Sequence, residues 1–278
     1  MTHRIVITSY SPNLDFGESL LKDVDVELTK GGWYTEEELI KNAGRADAVI
    51  CSGPSQPWTA RVIESLERCR LLASLSIGYD RIDVAAASRL GMAVTNVPDY
   101  CVEEVATQSL ALLLALARRL FPIDRAVREK QVLITPVERD LIARYVYPVF
   151  RLSERTLGII GVGRIGTALA IKARGLGMRM IGYDPYVLEG VMLNHHVTPV
   201  DLDTLLRESD FISINAALTD ETRNMIDRKA ISKMKPTCQI INTARGGIVD
   251  HAALVEALQE GKLGGAGLDA TAEEPLSP

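Results

Sequence analysis

The chain has 278 residues, 47% of them hydrophobic, and a formal net charge of −5. That length predicts two compact domains, each with its own core, and the mild acidity, with no basic cluster beyond Arg118-Arg119, argues against a nucleic-acid partner. The longest strongly apolar run, "LALLLALA" at 110–117, is far short of the ~20 residues that cross a bilayer, and no export signal is visible, so the expectation is a cytoplasmic protein without a membrane partner.

In chain order, "RIVITSY", "DAVICSGP", "LLASLSIGYD" and "MAVTNVP" read as short buried strands, each followed by a polar or glycine turn. They predict a first domain over residues 1–98. Next comes "VEEVATQSLALLLALARRL" at 102–120, with acids early, cations late and Ala and Leu throughout, the strongest helix in the chain. Its apolar character nearly all round predicts burial on several sides, between domains or between subunits. The stretch after it, up to Phe150, is mixed in pattern and fits either an arm that wraps a partner subunit or a local connector.

Strand-like runs resume with "TLGIIGVG", "RMIGYDP", "FISINAAL", "CQIINTARGG" and "GGAGLDA". Alternation of such runs with helix-period stretches predicts an α/β fold of two doubly wound parallel sheets, a flavodoxin-like first domain and a Rossmann domain over 99–278. Gly161, Gly163 and Gly166 form G-x-G-x-x-G directly after an apolar strand and open a helix. The first glycine permits a tight turn, the second lets backbone approach a pyrophosphate, and the third packs helix on strand. Arg164 and Ile165 lie within the same turn. About 20 residues on, the next strand ends in Asp184, placed to accept hydrogen bonds from the adenosine ribose and to repel a 2′-phosphate. Pro185, not an arginine, follows it. The predicted cofactor is therefore NAD.

Strand "CQIIN" runs into "TARGGIVD", which sets Arg245 at a strand's C-terminal end, where an open parallel sheet collects ligands. A guanidinium is a fixed cation and donor, unsuited to act as a base but suited to grip a carboxylate bidentately or to meet a developing carbonyl charge. Asp250 is placed to cap the helix "HAALVEALQE", and Gly261 to stop it. The four cysteines form no Cys-x-x-Cys pair and read as buried free thiols, and no metal site is expected.

"TLGIIGVGRIG", "MKPTCQIINTARGGIVD", "GGAGLDATAEEP" and "IGYDRIDVAAASRLGMAVTNVPDYCVEEVA" together resemble the D-isomer-specific 2-hydroxyacid dehydrogenases, densely from about residue 70 onward. Within that family, "NVPDYCVEEVA" is most similar to bacterial relatives of the C-terminal-binding-protein corepressors. The resemblance implies a homodimer, with 1–98 as substrate domain and 99–278 as NAD-binding domain, that moves hydride between nicotinamide and a small D-2-hydroxy acid or 2-oxo acid. It implies that Arg245 binds substrate and cofactor, that Glu274, immediately before Pro275, orients a catalytic histidine, and that Glu273 is a solvated neighbour. It further implies that Asp269 holds the nicotinamide carboxamide with Thr243 and Ala244 lining that pocket. Pro185 and Ala216 join the cofactor contacts. Ile77 and Gly78 match the loop whose amides face cofactor and substrate carboxylate.

The implied histidine would come some twenty residues after Glu274, and the only histidines are His3, His195, His196 and His251. His195 and His196 lie in a loop-like stretch and read as a solvated pair, with a metal site or an adenine-side contact as alternatives. Two expectations compete: a fragment of a longer chain lacking the family's last strand and return helix, or a natural truncation acting as an NAD-sensing binding or regulatory protein. Asn215 where relatives often carry histidine, Ser76 in place of a loop glycine and Arg81 in place of asparagine are smaller departures.

Overall fold

The protein is described by a computed structural model over residues 2–13, 15–53, 55–130 and 148–272. The chain divides into two compact units, Met1–Tyr100 and Cys101–Pro278. Glu273, Glu274 and Pro275 lie outside the described residues, as does most of the stretch between 121 and 150.

The first unit holds β1 (His3–Ile7), β2 (Val26–Lys30), α1 (Glu36–Ala43), β3 (Ala48–Cys51), α2 (Ala60–Glu64), β4 (Leu71–Ser74), α3 (Val84–Arg89) and β5 (Ala93–Thr95). Its sheet has the order β2-β1-β3-β4-β5, parallel throughout, the flavodoxin-like order with its switch point between β1 and β3. Register sets Val6, Val49 and Leu72 side by side, and their shared face receives Leu39 of α1, Val62 and Ile63 of α2, and Ala86 of α3. Strand β2 and helix α1 carry signals too local for a run of apolar residues to reveal. The strand is a half-exposed edge, and the helix begins on a capping box in which Thr35 and Glu38 exchange side-chain and backbone hydrogen bonds.

The second unit opens with α4 (Val102–Ala117) and α5 (Leu120–Lys130). The single helix expected over 102–120 is broken, because Arg119 takes a left-handed backbone, φ 51°, and turns the chain into α5. After residue 148 follow β6 (Thr156–Ile160), α6 (Arg164–Arg174), β7 (Arg179–Tyr183), α7 (Glu189–Asn194), β8 (Thr198–Pro199), α8 (Leu202–Glu208), β9 (Phe211–Ile214), α9 (Arg228–Ser232), β10 (Gln239–Asn242), α10 (His251–Gln259) and β11 (Gly265–Leu268). The sheet order β11-β10-β9-β6-β7-β8 is all parallel, the Rossmann arrangement, with its switch point between β6 and β9.

Strands buried on both faces read as unbroken apolar runs, and β6 shows why. Leu157 and Ile159 pack with Leu113 of α4 and Leu169 of α6, whereas Ile160 joins Leu205 of α8, Ile231 of α9 and Leu254 of α10 on the other face. His195 and His196 sit in the turn between α7 and β8. They terminate α7, where His196, φ 60°, occupies the left-handed position more often given to glycine. Cys51, Cys69 and Cys238 are buried, but Cys101 is partly exposed, because it precedes the first turn of α4.

Candidate active site

The glycine turn after β6 assigns each glycine a separate task. Gly161 has φ +85°, and a Cβ there would lie 2.7 Å from the Ala216 nitrogen, at the switch point. Gly166 is equally committed, since its Cβ would come 2.1 Å from the Gly161 carbonyl oxygen. At Gly163, by contrast, a Cβ would meet nothing within 4 Å. That space lies at the N-terminus of α6, which no side chain caps, so its first-turn N–H groups point at a site suited to an anion.

Asp184 closes the other side of this turn. One carboxylate oxygen accepts from the Val162 N–H at 2.9 Å and the other from the Tyr186 N–H at 2.9 Å, which fixes the carboxylate at the end of β7 with lone pairs left for hydroxyl donors. Asn215 follows β9, its N–H donating to the Ile160 carbonyl at 2.8 Å and its Nδ2 to the Ser213 hydroxyl at 3.2 Å. Its buried Oδ1 has no donor among the described residues. Open space at an uncapped helix N-terminus, a pinned carboxylate and an unsatisfied acceptor at the switch point fit a dinucleotide.

The Arg245 turn lies on the same sheet edge. Asn242, the last residue of β10 and fully buried, accepts from the Ala244 N–H at 3.0 Å and donates to the Arg245 carbonyl at 2.9 Å, holding the turn shut. Thr243 turns inward onto the Ser109 hydroxyl of α4 at 2.7 Å. A Cβ on Gly246 would lie 2.0 Å from the Thr271 carbonyl carbon, so the Arg245 turn and the loop after β11 run back to back. That loop starts at Asp269, whose N–H donates to the Asn242 carbonyl at 2.9 Å and whose Oδ1 accepts from Gln108 of α4 at 3.0 Å. Asp250 caps α10 by accepting from the Ala253 N–H at 3.0 Å.

In the first unit, Ile77 and Gly78 sit after β4 with both carbonyls engaged: Asn96 donates to the first at 2.9 Å and the Ser76 hydroxyl to the second at 2.9 Å. Ser76 also meets the Ser74 hydroxyl at 2.7 Å. The Ser76 hydroxyl thus ties this loop.

Gln108, Ser109, Asn242 and Asn96 were not found by motif. The available signals were a polar residue closing an apolar strand, at Asn242, and three adjacent polar residues interrupting an apolar helix, at Thr107-Gln108-Ser109. Among the described residues no group of three or more His, Cys, Asp or Glu side chains could hold a metal ion, and no helix is long and apolar enough to cross a membrane.

Residues 110–278 match the family pattern described as D-isomer specific 2-hydroxyacid dehydrogenase, NAD binding domain. The chain belongs to the D-isomer-specific 2-hydroxyacid dehydrogenase family. Its cofactor is NAD and its chemistry is that of a hydroxyacid oxidoreductase. Similar sequences include a glyoxylate reductase of Korarchaeum cryptofilum, 40% identical over 244 residues, 88% of this chain and 71% of that protein. A D-3-phosphoglycerate dehydrogenase of Synechocystis is 35% identical over 94% of this chain, which spans 45% of that relative. Among solved members of the family, the D-lactate dehydrogenase of Aquifex aeolicus, complexed with NAD and lactic acid, superposes with a TM-score of 0.83 at 32% identity, covering 97% of this chain and 78% of that one.

Proposed function

We propose that the chain reduces a small 2-oxo acid to the D-2-hydroxy acid, and performs the reverse oxidation, with Arg245 as the substrate-binding and carbonyl-polarising group. The observation that carries this reading is the Arg245 turn itself, closed by Asn242 and backed against the Asp269 loop on the edge of the sheet that bears the glycine turn. NAD supplies and accepts the hydride. The protein's residues do the rest. Arg245 binds the substrate carboxylate and stabilises charge growing on the carbonyl oxygen, Asp269 takes the nicotinamide carboxamide beside Thr243 and Ala244, and Asp184, with Pro185, takes the adenosine ribose. Arg164, Ile165 and Ala216 line the dinucleotide path. Ile77 and Gly78 offer amides to the substrate carboxylate. Glu274 is the carboxylate that would hold an acid–base imidazole in its productive orientation.

The chain is further read as cytoplasmic and homodimeric, and light scattering on the purified protein tests the second point. Absorbance loss at the NADH band with glyoxylate, hydroxypyruvate, pyruvate and phosphohydroxypyruvate tests the activity, and an inert panel would remove it.

A further inference from the structure

We propose that Gln108 is a positioning residue for the nicotinamide half of the dinucleotide, holding the Asp269 carboxylate in place by a register match between α4 and β11. The argument begins with spacing. Along a helix every fourth residue advances about 6 Å on one face, and along a strand every second residue advances about 6.6 Å on one face. The two periods nearly coincide, so a helix packed along a strand can match it position for position over two steps.

Helix α4 runs antiparallel to β11 in this way. A Cβ on Gly265 would lie 3.4 Å from Leu116 Cδ2, and one on Gly267 would lie 3.1 Å from Leu112 Cβ. Both glycines therefore let the helix approach closely, and the contact fixes its axial position. One further step, four residues back along α4 and two forward along β11, brings Gln108 to Asp269, and the two are joined at 3.0 Å. Next to Gln108, the buried Ser109 hydroxyl meets Thr243 at 2.7 Å and donates to the Val105 carbonyl at 2.9 Å. The helix thus holds the ends of both β10 and β11.

Gln108 gives one of its two Nε2 N–H groups to Asp269 Oδ1, leaving Oδ2 to accept from a carboxamide N–H. Among the described residues it is the one side chain that donates to the Asp269 carboxylate. Both residues are exposed, so the bond contributes little to folding; its effect is on where the carboxylate points. This rests on the reading of Asp269 as a nicotinamide contact, and the test separates the two.

NADH binding is followed by fluorescence titration, ADP-ribose binding by calorimetry, and thermal stability by scanning calorimetry. Gln108→Ala is expected to weaken NADH roughly three- to tenfold, the size of one lost hydrogen bond, while ADP-ribose affinity and the melting temperature stay at the wild-type values. Gln108→Glu replaces the donor with a second carboxylate facing Asp269 and is expected to weaken NADH further than Gln108→Ala does, with ADP-ribose unaffected. Asp269→Ala serves as the reference. If it weakens NADH selectively and Gln108→Ala changes nothing, the positioning role is overturned and the Asp269 reading stands. If Asp269→Ala shows no selectivity for NADH over ADP-ribose, the Asp269 reading falls and the positioning role with it. Equal loss of both ligands in Gln108→Ala would identify a structural role and also overturn the proposal.

Discussion

Single atoms separate folding from binding in the glycine turn. A methyl group at Gly163 meets no protein atom within 4 Å, whereas one at Gly166 would press on the Gly161 carbonyl at 2.1 Å. Gly163→Ala is therefore expected to keep the wild-type melting temperature and to weaken NADH by at least about tenfold, because the methyl fills the space of the pyrophosphate. Gly166→Ala is expected to destabilise by about 1–3 kcal/mol, the usual cost of forcing atoms into a closed contact, as read by denaturant unfolding. Arg245 gives the complementary result. Its replacement by alanine should lower kcat/KM by roughly 10²- to 10³-fold, the range for removing a donor from a developing oxyanion, with NADH titration little changed; equal loss of both would contradict its assignment to the substrate.

At the scale of elements, α4 couples to the sheet through one buried hydroxyl pair. Ser109 is 1% exposed and Thr243 is 9% exposed, and their hydroxyls lie 2.7 Å apart. Ser109→Ala strands the Thr243 hydroxyl and is expected to cost about 1–3 kcal/mol, while the double variant with Thr243→Val should cost less than the sum of the single changes, because no polar atom is left unpaired. Urea titrations of the four proteins test this. The same element shows what could be read from sequence. The helix was evident from its composition, and the glycine turn, Asp184 and Arg245 from their spacing after apolar strands, since those signals are local. The break at Arg119 was hidden because nothing in "ARRL" forbids helix. The partnership of Gln108 with Asp269 was hidden because it depends on the packing distance of two elements 161 residues apart. Edge strand β2 and helix α1 lacked apolar runs for the reason that they lie half in solvent.

On the scale of the whole molecule, each compact unit carries a buried thiol that ties its stability to alkaline pH. Burial pushes Cys51 in the first unit up to about 12 from the ordinary 9.0, with a smaller contribution from Cys69. It pushes Cys238 in the second unit up to about 12, with Asp210 adding to the effect. In the unfolded chain these thiols ionise near 9.0, so between that value and about 12 the unfolded state binds fewer protons than the folded one. Stability must then fall as pH rises through this window, by up to ~1.4 kcal/mol per pH unit for each thiol, and be indifferent to both thiols below it. Tyrosines and lysines titrate in the same range, so the wild-type slope alone decides nothing. The difference between wild type and variant does: Cys51→Ala and Cys238→Ala each introduce a pH-independent packing cost and remove one thiol's slope. Urea unfolding at pH 8 and pH 10 is expected to show each variant losing less stability than wild type between the two conditions. If the two units unfold separately, each substitution flattens only its own unit's transition; if they unfold together, each removes one thiol's share of the slope from a single transition. Parallel losses in wild type and both variants would mean that neither thiol is held protonated by its surroundings.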